Sequence, residues 1–212
     1  MNTRHERPSS PPREGVNPAA RPAPPNGNGD LERWEIRLEG SHLTFVLRHL
    51  VISQIRGQFR RWGGTLFLDR TSPWRSSVEV WIDLASLETN SVERDDHIRS
   101  PELLDVQRFP LAEFKSTAVE PQGDRLVVRG RLQLHGVTRD VELDVEPRTG
   151  PPYEGRNVYA IRGKLDRQSF GLHWNQDLDV GGVVVADEIT VSAELALVRK
   201  DGEPGSDTRA RS

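Results

Sequence analysis

Along much of the chain apolar and polar residues alternate with a period of two, the pattern of strands with one face buried and one face wet. Trp34, Ile36 and Leu38 alternate with Glu35, Arg37 and Glu39, and Val78, Val80 and Ile82 with Glu79, Trp81 and Asp83. The run Leu126, Val128, Gly130, Leu132, Leu134 is interleaved with Arg125, Val127, Arg129, Arg131 and Gln133. Val141, Leu143 and Val145 alternate with acidic residues, and Ile189, Val191, Ala193, Leu195 and Leu197 repeat the spacing near the end. Further strands are expected at 41–48, 54–60, 64–69, 111–119 and 157–165. Turn chemistry separates them: Gln122-Gly123-Asp124, the His135-Gly136 hairpin and Gly63-Gly64.

Residues 88–110 break the alternation and are rich in charge. Ser100-Pro101-Glu102 reads as a helix start, with Ser100 as N-cap and Pro101 at the first helical position. One or two short helices or turns are expected there, ended by Phe109-Pro110. Eight or more antiparallel strands with one short helical insertion make an all-β fold, and the lack of helices between strands argues against a parallel α/β sheet. Long strands joined by short hairpins favour an up-and-down barrel, which leaves no open edge. A barrel of about eight strands either holds one small ligand or is filled by its own side chains.

Composition bounds this domain. All thirteen aromatics of the 212-residue chain lie between Trp34 and Trp174, and seven of the fifteen prolines lie in the first thirty residues. The expected organisation is a disordered Pro-rich tail at 1–30, one folded domain at 31–199 and a second disordered tail at 200–212. A net charge of −3 provides no basic field to attract nucleic acid. With no cysteine, thiol nucleophiles, disulfides and Cys-ligated metals are excluded. There is no apolar run of about 18 residues to span a membrane and no secretory leader pattern, so the expected location is the cytoplasm.

Candidate chemistry is sparse. There is no G-x-S-x-G elbow and no readable nucleophile–base arrangement. His42, His49, His97, His135 and His173 are scattered without metal-ligand spacing, and Asp177, Asp179, Asp187 and Glu188 lack the EF-hand register, so no metal site is expected. Arg56, Arg60 and Arg61 with Phe59 and Trp62 form a small basic–aromatic cluster, for which arginine on a wet strand face is the commoner explanation than single-strand binding. What remains is the apolar set Phe45, Leu47, Phe59, Phe67, Val80, Ile82, Leu132, Leu134, Leu143 and Leu195. It fits a solid core and the lining of a hollow equally well, and spacing does not separate the two.

Ordered motifs add what spacing lacks. Ser41–His49 (SHLTFVLRH), Gly57-Gln58-Phe59, Arg94-Asp95-Asp96-His97-Ile98-Arg99-Ser100, Leu132–Arg139 (LQLHGVTR) and Arg167-Gln168-Ser169-Phe170-Gly171-Leu172 occur in the order seen in the YceI family of bacterial lipid- or polyisoprenoid-binding proteins, which the chain resembles over residues 33–198. The resemblance implies an eight-stranded, lipocalin-like antiparallel barrel whose apolar tunnel holds an isoprenoid lipid or isoprenoid quinone, and a homodimer as in relatives. Departures are Leu103-Leu104 where the family usually has aromatics, Asp140 where it often has proline, and the missing periplasmic leader. The shared polar residues His49, Arg94, Asp96, His97, Ser100, His135 and Arg167 then have two readings: they satisfy buried backbone groups, or they meet a lipid head group.

The function expected from this is non-enzymatic: binding, sequestration or transport of a polyisoprenoid, with no catalytic residue and no cofactor beyond the bound lipid. Two alternatives compete with it. One is an enzyme acting on a lipophilic isoprenoid substrate through His97 and Asp96. The other is a stress-response partner protein working through its tail.

Overall fold

A computed structural model of the chain describes residues 31–49, 53–69, 71–149, 157–173 and 185–200; the two tails expected from composition lie outside the described residues except for Lys200, whose N–H donates to the Arg33 carbonyl (2.9 Å). The strands are β1 (Glu32–His49), β2 (Ser53–Phe59), β3 (Trp62–Leu68), β4 (Ser77–Asp83), β5 (Leu87–Glu88), β6 (Leu111–Gln122), β7 (Arg125–Leu134), β8 (Val137–Arg148), β9 (Asn157–Asp166) and β10 (Val185–Arg199). One α-helix, α1 (Val92–Arg99), interrupts them.

All pairings among these strands are antiparallel, and β6, β7, β8, β9 and β10 follow one another in the sheet as they do in the chain. β10 then pairs with β1, so the sheet closes on itself. β2 and β3 both run antiparallel to β1, on its second and first halves, and together serve as one interrupted strand. The result is a closed eight-stranded antiparallel barrel, with β5 added as a two-residue extension on β2. The barrel reading of the alternation therefore holds.

Three irregularities have a local cause. β1 shifts register against β10 between Arg37 and His42, where Gly40 takes φ +83°. Glycine carries no Cβ penalty there, and the shift leaves Leu38 exposed. Buried Ser41 holds the bulge: its hydroxyl donates to the Arg37 carbonyl (2.6 Å) and accepts from the Ala196 N–H (2.8 Å). Between β2 and β3, Arg60 N–H donates to the Ser86 carbonyl and Arg61 N–H to Ser86 Oγ, so the break keeps its backbone hydrogen bonds. At the His135-Gly136 hairpin both residues have positive φ (51° and 73°), as a tight turn matched to strand twist requires. On the outer wall Arg129 lies between Glu120 and Glu142, and hydrogen bonds to both carboxylates raise its pKa further.

The helix departs from expectation. It is capped by Ser91, whose hydroxyl accepts from Arg94 N–H, with Glu93 and Asp95 in the first turn. Ser100 is not an N-cap; it ends α1, its N–H donating to the His97 carbonyl. Pro101 follows a helix end here, its other common position, and residues 101–104 form turns.

Replacing Ser41 with alanine strands the buried Ala196 N–H at the bulge. The expected cost is about 1–3 kcal/mol, read as a lower urea midpoint with an unchanged denaturant slope.

Candidate functional site

The barrel is hollow. Its lumen holds a cavity of about 500 Å³ lined by inward-facing residues of the barrel strands and, at one end, of the segment containing α1. Of the ten residues expected to line an interior, Phe45, Leu47, Phe59, Val80, Ile82, Leu132, Leu134, Leu143 and Leu195 do so.

Phe67 does not. It is 40% exposed and lies on the outer face of β3, opposite Arg33 and Ser77. Leu66-Phe67-Leu68 is a run of three apolar residues, which leaves the strand's parity open. The break after Phe59 resets that parity, so Trp62, Leu66 and Leu68 point inward. Trp62, which the sequence groups with the arginines of the basic–aromatic cluster, lines the lumen. Those arginines lie outside, Arg60 on Glu88 and Arg61 on Asp83, so the basic–aromatic cluster is split between two sides of the wall. Leu43, Phe114, Ile161 and Val191 also line the lumen; Leu43 and Val191 share the alternation of Phe45 and Leu195, whereas β6 and β9 carry none of the ten residues.

Polar side chains in the lining are confined to the two ends. Ser76 and Tyr159 lie toward the end where β4 and β9 start; Arg94, His97 and Arg167 lie toward the end near α1. Arg94 donates from Nε to Thr89 Oγ1 (2.8 Å) and from Nη2 to the Thr89 carbonyl (2.7 Å). Thr89 Oγ1 in turn donates to the carboxylate of Asp95, as does the Thr89 N–H (2.9 Å). Asp95 is buried and is the acid that anchors this end of the barrel. Its neighbour Asp96, one of the shared polar residues, instead lies exposed and pairs with Arg99 (3.1 Å). His97 Nε2 lies 3.2 Å from Glu102 Oε2, so the acid–base pair of His97 with Asp96 is not formed.

Arg167 is 3% exposed and spans the gap between the end of β9 and the start of β10. It donates to the carbonyls of Ala186 (3.0 Å), Leu172 (2.6 Å) and Val185 (3.2 Å) and pairs with Asp187 (3.1 Å). The planar guanidinium fork suits three carbonyls at once, which an ammonium cannot match. His135 Nδ1 lies 3.3 Å from the Phe170 carbonyl, and its ring meets the Phe109 ring edge-on at 4.8 Å. Ser100 serves the end of α1, as above. The side chain of His49 lies outside the described structure, as do Asp177 and Asp179. Among the described residues no cluster of three or more His, Cys, Asp or Glu is placed to hold a metal ion. No helix among them is long and apolar enough to cross a membrane.

A closed antiparallel barrel with an apolar lumen and polar groups only at its ends defines a class: barrels built to enclose a greasy molecule or greasy side chains. Residues 34–197 match the YceI-like domain, and the chain belongs to that family. It is 34% identical over 173 residues to protein YceI of Salmonella newport, covering 79% of this chain and 88% of the relative. In structure it is similar to BcnA of Burkholderia cenocepacia (TM-score 0.67, 21% identity, covering 77% of this chain and 99% of that one). It is also similar to a polyisoprenoid-binding domain from Saccharophagus degradans (TM-score 0.57, 17% identity, covering 81% and 100%).

The partners of Arg167 make it a brace. Arg167→Lys keeps the charge but leaves carbonyls unmet, with an expected loss of about 2 kcal/mol or more in urea unfolding of lipid-free protein. Unchanged stability with weakened ligand binding would make Arg167 a head-group contact instead.

Proposed function

We propose that the protein is a non-enzymatic carrier or sequestering protein for a polyisoprenoid lipid or isoprenoid quinone, held with its hydrocarbon chain along the lumen. The observation that carries this reading is the cavity itself: about 500 Å³, apolar along its length, with polar side chains only at its ends. That volume lies within the range of small-molecule sites. Each methylene taken from water into such a lumen contributes about 0.8 kcal/mol, so a long chain binds firmly with no bond to a reactive group. Arg94 and His97 line the same cavity beside α1, where hydrogen-bonding groups would orient a polar head. The likeness to a domain described as polyisoprenoid-binding supports the choice of ligand class. An enzymatic reading has less to rest on, because His97 and Asp96 face different partners.

Organic extraction of the purified protein followed by mass spectrometry is expected to yield a prenyl-chain lipid, and native mass spectrometry a matching mass difference. A protein that stays empty when incubated with prenyl lipids would overturn the proposal. Ala193 lines the lumen with one of its smallest side chains, so Ala193→Phe is expected to block loading. The substitution should leave the strand content by circular dichroism unchanged.

A further inference from the structure

An eight-stranded barrel is just wide enough for its own side chains to fill it. This one stays open although Phe45, Phe114 and Leu143 all point into it. The explanation lies in three glycines on the same inward face. Gly57 has the parity of Ile55 and Phe59, Gly130 that of Val128 and Leu132, and Gly163 that of Ile161 and Leu165, all of which line the lumen. None of the three has positive φ, so backbone conformation does not call for glycine there. Space does. A Cβ on Gly57 would lie 2.5 Å from Phe45 Cε1, one on Gly130 2.5 Å from Phe114 Cζ, and one on Gly163 2.5 Å from Leu143 Cδ2. Real Cβ atoms do not approach that closely. Each large side chain therefore lies flat across the glycine of the adjoining strand: Phe45 opposite Gly57, Leu143 opposite Gly163, and Phe114 diagonally across from Gly130, which pairs with Ser116.

We infer that Gly57, Gly130 and Gly163 are seats that fold large side chains against the wall and thereby set the bore of the cavity, and with it the thickness of chain admitted. The inference rests on the lipid-binding reading and deepens it: these glycines are specificity-determining residues that touch no polar part of the ligand. A methyl-branched chain needs the full bore at every branch, whereas a linear chain tolerates a local narrowing.

Gly163 is the cleanest probe, because the close neighbour of its added Cβ is the tip of a flexible side chain. A Cβ on Gly130 would also meet the Lys115 carbonyl oxygen at 2.6 Å, and one on Gly57 the methyl of Thr89 at 2.9 Å. In Gly163→Ala, Leu143 must swing into the lumen. Delipidated full-length protein is loaded with the fluorophore N-phenyl-1-naphthylamine, which is displaced by geranylgeraniol (branched) or by hexadecan-1-ol, linear and of the same main-chain length. Gly163→Ala is expected to weaken geranylgeraniol roughly tenfold, the scale of forcing an extra group into a packed wall, and to weaken the linear alcohol distinctly less. Adding Leu143→Ala to it is expected to restore the wild-type preference. Equal effects on the two alcohols, or a folded double variant that recovers nothing, would overturn the bore assignment while leaving lipid binding intact. A wild-type protein that binds neither alcohol would overturn the lipid-binding reading and this inference with it. If Gly163→Ala does not fold, Leu143→Ala alone decides: a shift of preference toward the branched alcohol supports the seats, and an unchanged preference overturns them.

Discussion

The pairing of β1 with β10 is the interaction on which the remaining structure depends. Without it the sheet would present two long edges, a template for pairing with other chains, and its inner face would open to water. β10 spans almost the whole of β1, but on the other side of β1 the partner changes from β3 to β2 along its length. One eighteen-residue strand must therefore serve two segments with different register. The bulge at Gly40 and the Ser41 hydroxyl between Arg37 and Ala196 reconcile them. The β1–β10 pairing continues on both sides of that adjustment and closes the sheet.

Closure creates a second constraint. A ring of eight strands encloses a narrow space, and the hydrophobic effect alone would fill it with side chains. The interior stays open because some inward positions carry almost no side chain and their large neighbours lie across them. The ends are held by polar networks instead. At the α1 end, Asp95 anchors Thr89, and Thr89 holds Arg94 at the cavity wall. Arg167 ties the end of β9 to the start of β10 through three carbonyls. These groups are buried, or half-buried in the case of Arg94, with hydrogen-bond partners, so they brace the rim without the penalty of an unmet polar atom. The contrast between an apolar lumen and polar ends suits an amphiphile lying along the barrel axis.

Much of this could be read directly from the chain. Strict alternation in β4, β7, β8 and β10 marks the strands and, for the six apolar residues named on them, the face that lines the lumen; Phe45, Leu47 and Phe59 on β1 and β2 line it as well. The failures have specific causes. Phe67 sits in a run of three apolar residues, where a period of two gives no parity, and the break at Arg60 and Arg61 settles it. Ser100 before Pro101 has the look of a helix start, but the same pair also occurs after a helix end, and Ser91 with two acids behind it was the better cap. Asp95 and Asp96 are adjacent in a helix, and neither charge nor composition tells which one turns toward Thr89. In each case a local pattern was compatible with two arrangements.

Period-two alternation, hairpin chemistry at His135-Gly136 and the order of the motifs are properties of the chain alone, because strand pleating and turn dihedrals are set by neighbouring residues. They determine an antiparallel all-β fold and a family. Whether the enclosed space is solid or hollow was decided only in three dimensions. It depends on which side chain meets which glycine across a strand pair, and on which polar group reaches a carbonyl far away in sequence. Those contacts arise from register and closure, which bring together residues such as Leu143 and Gly163 that no local pattern connects.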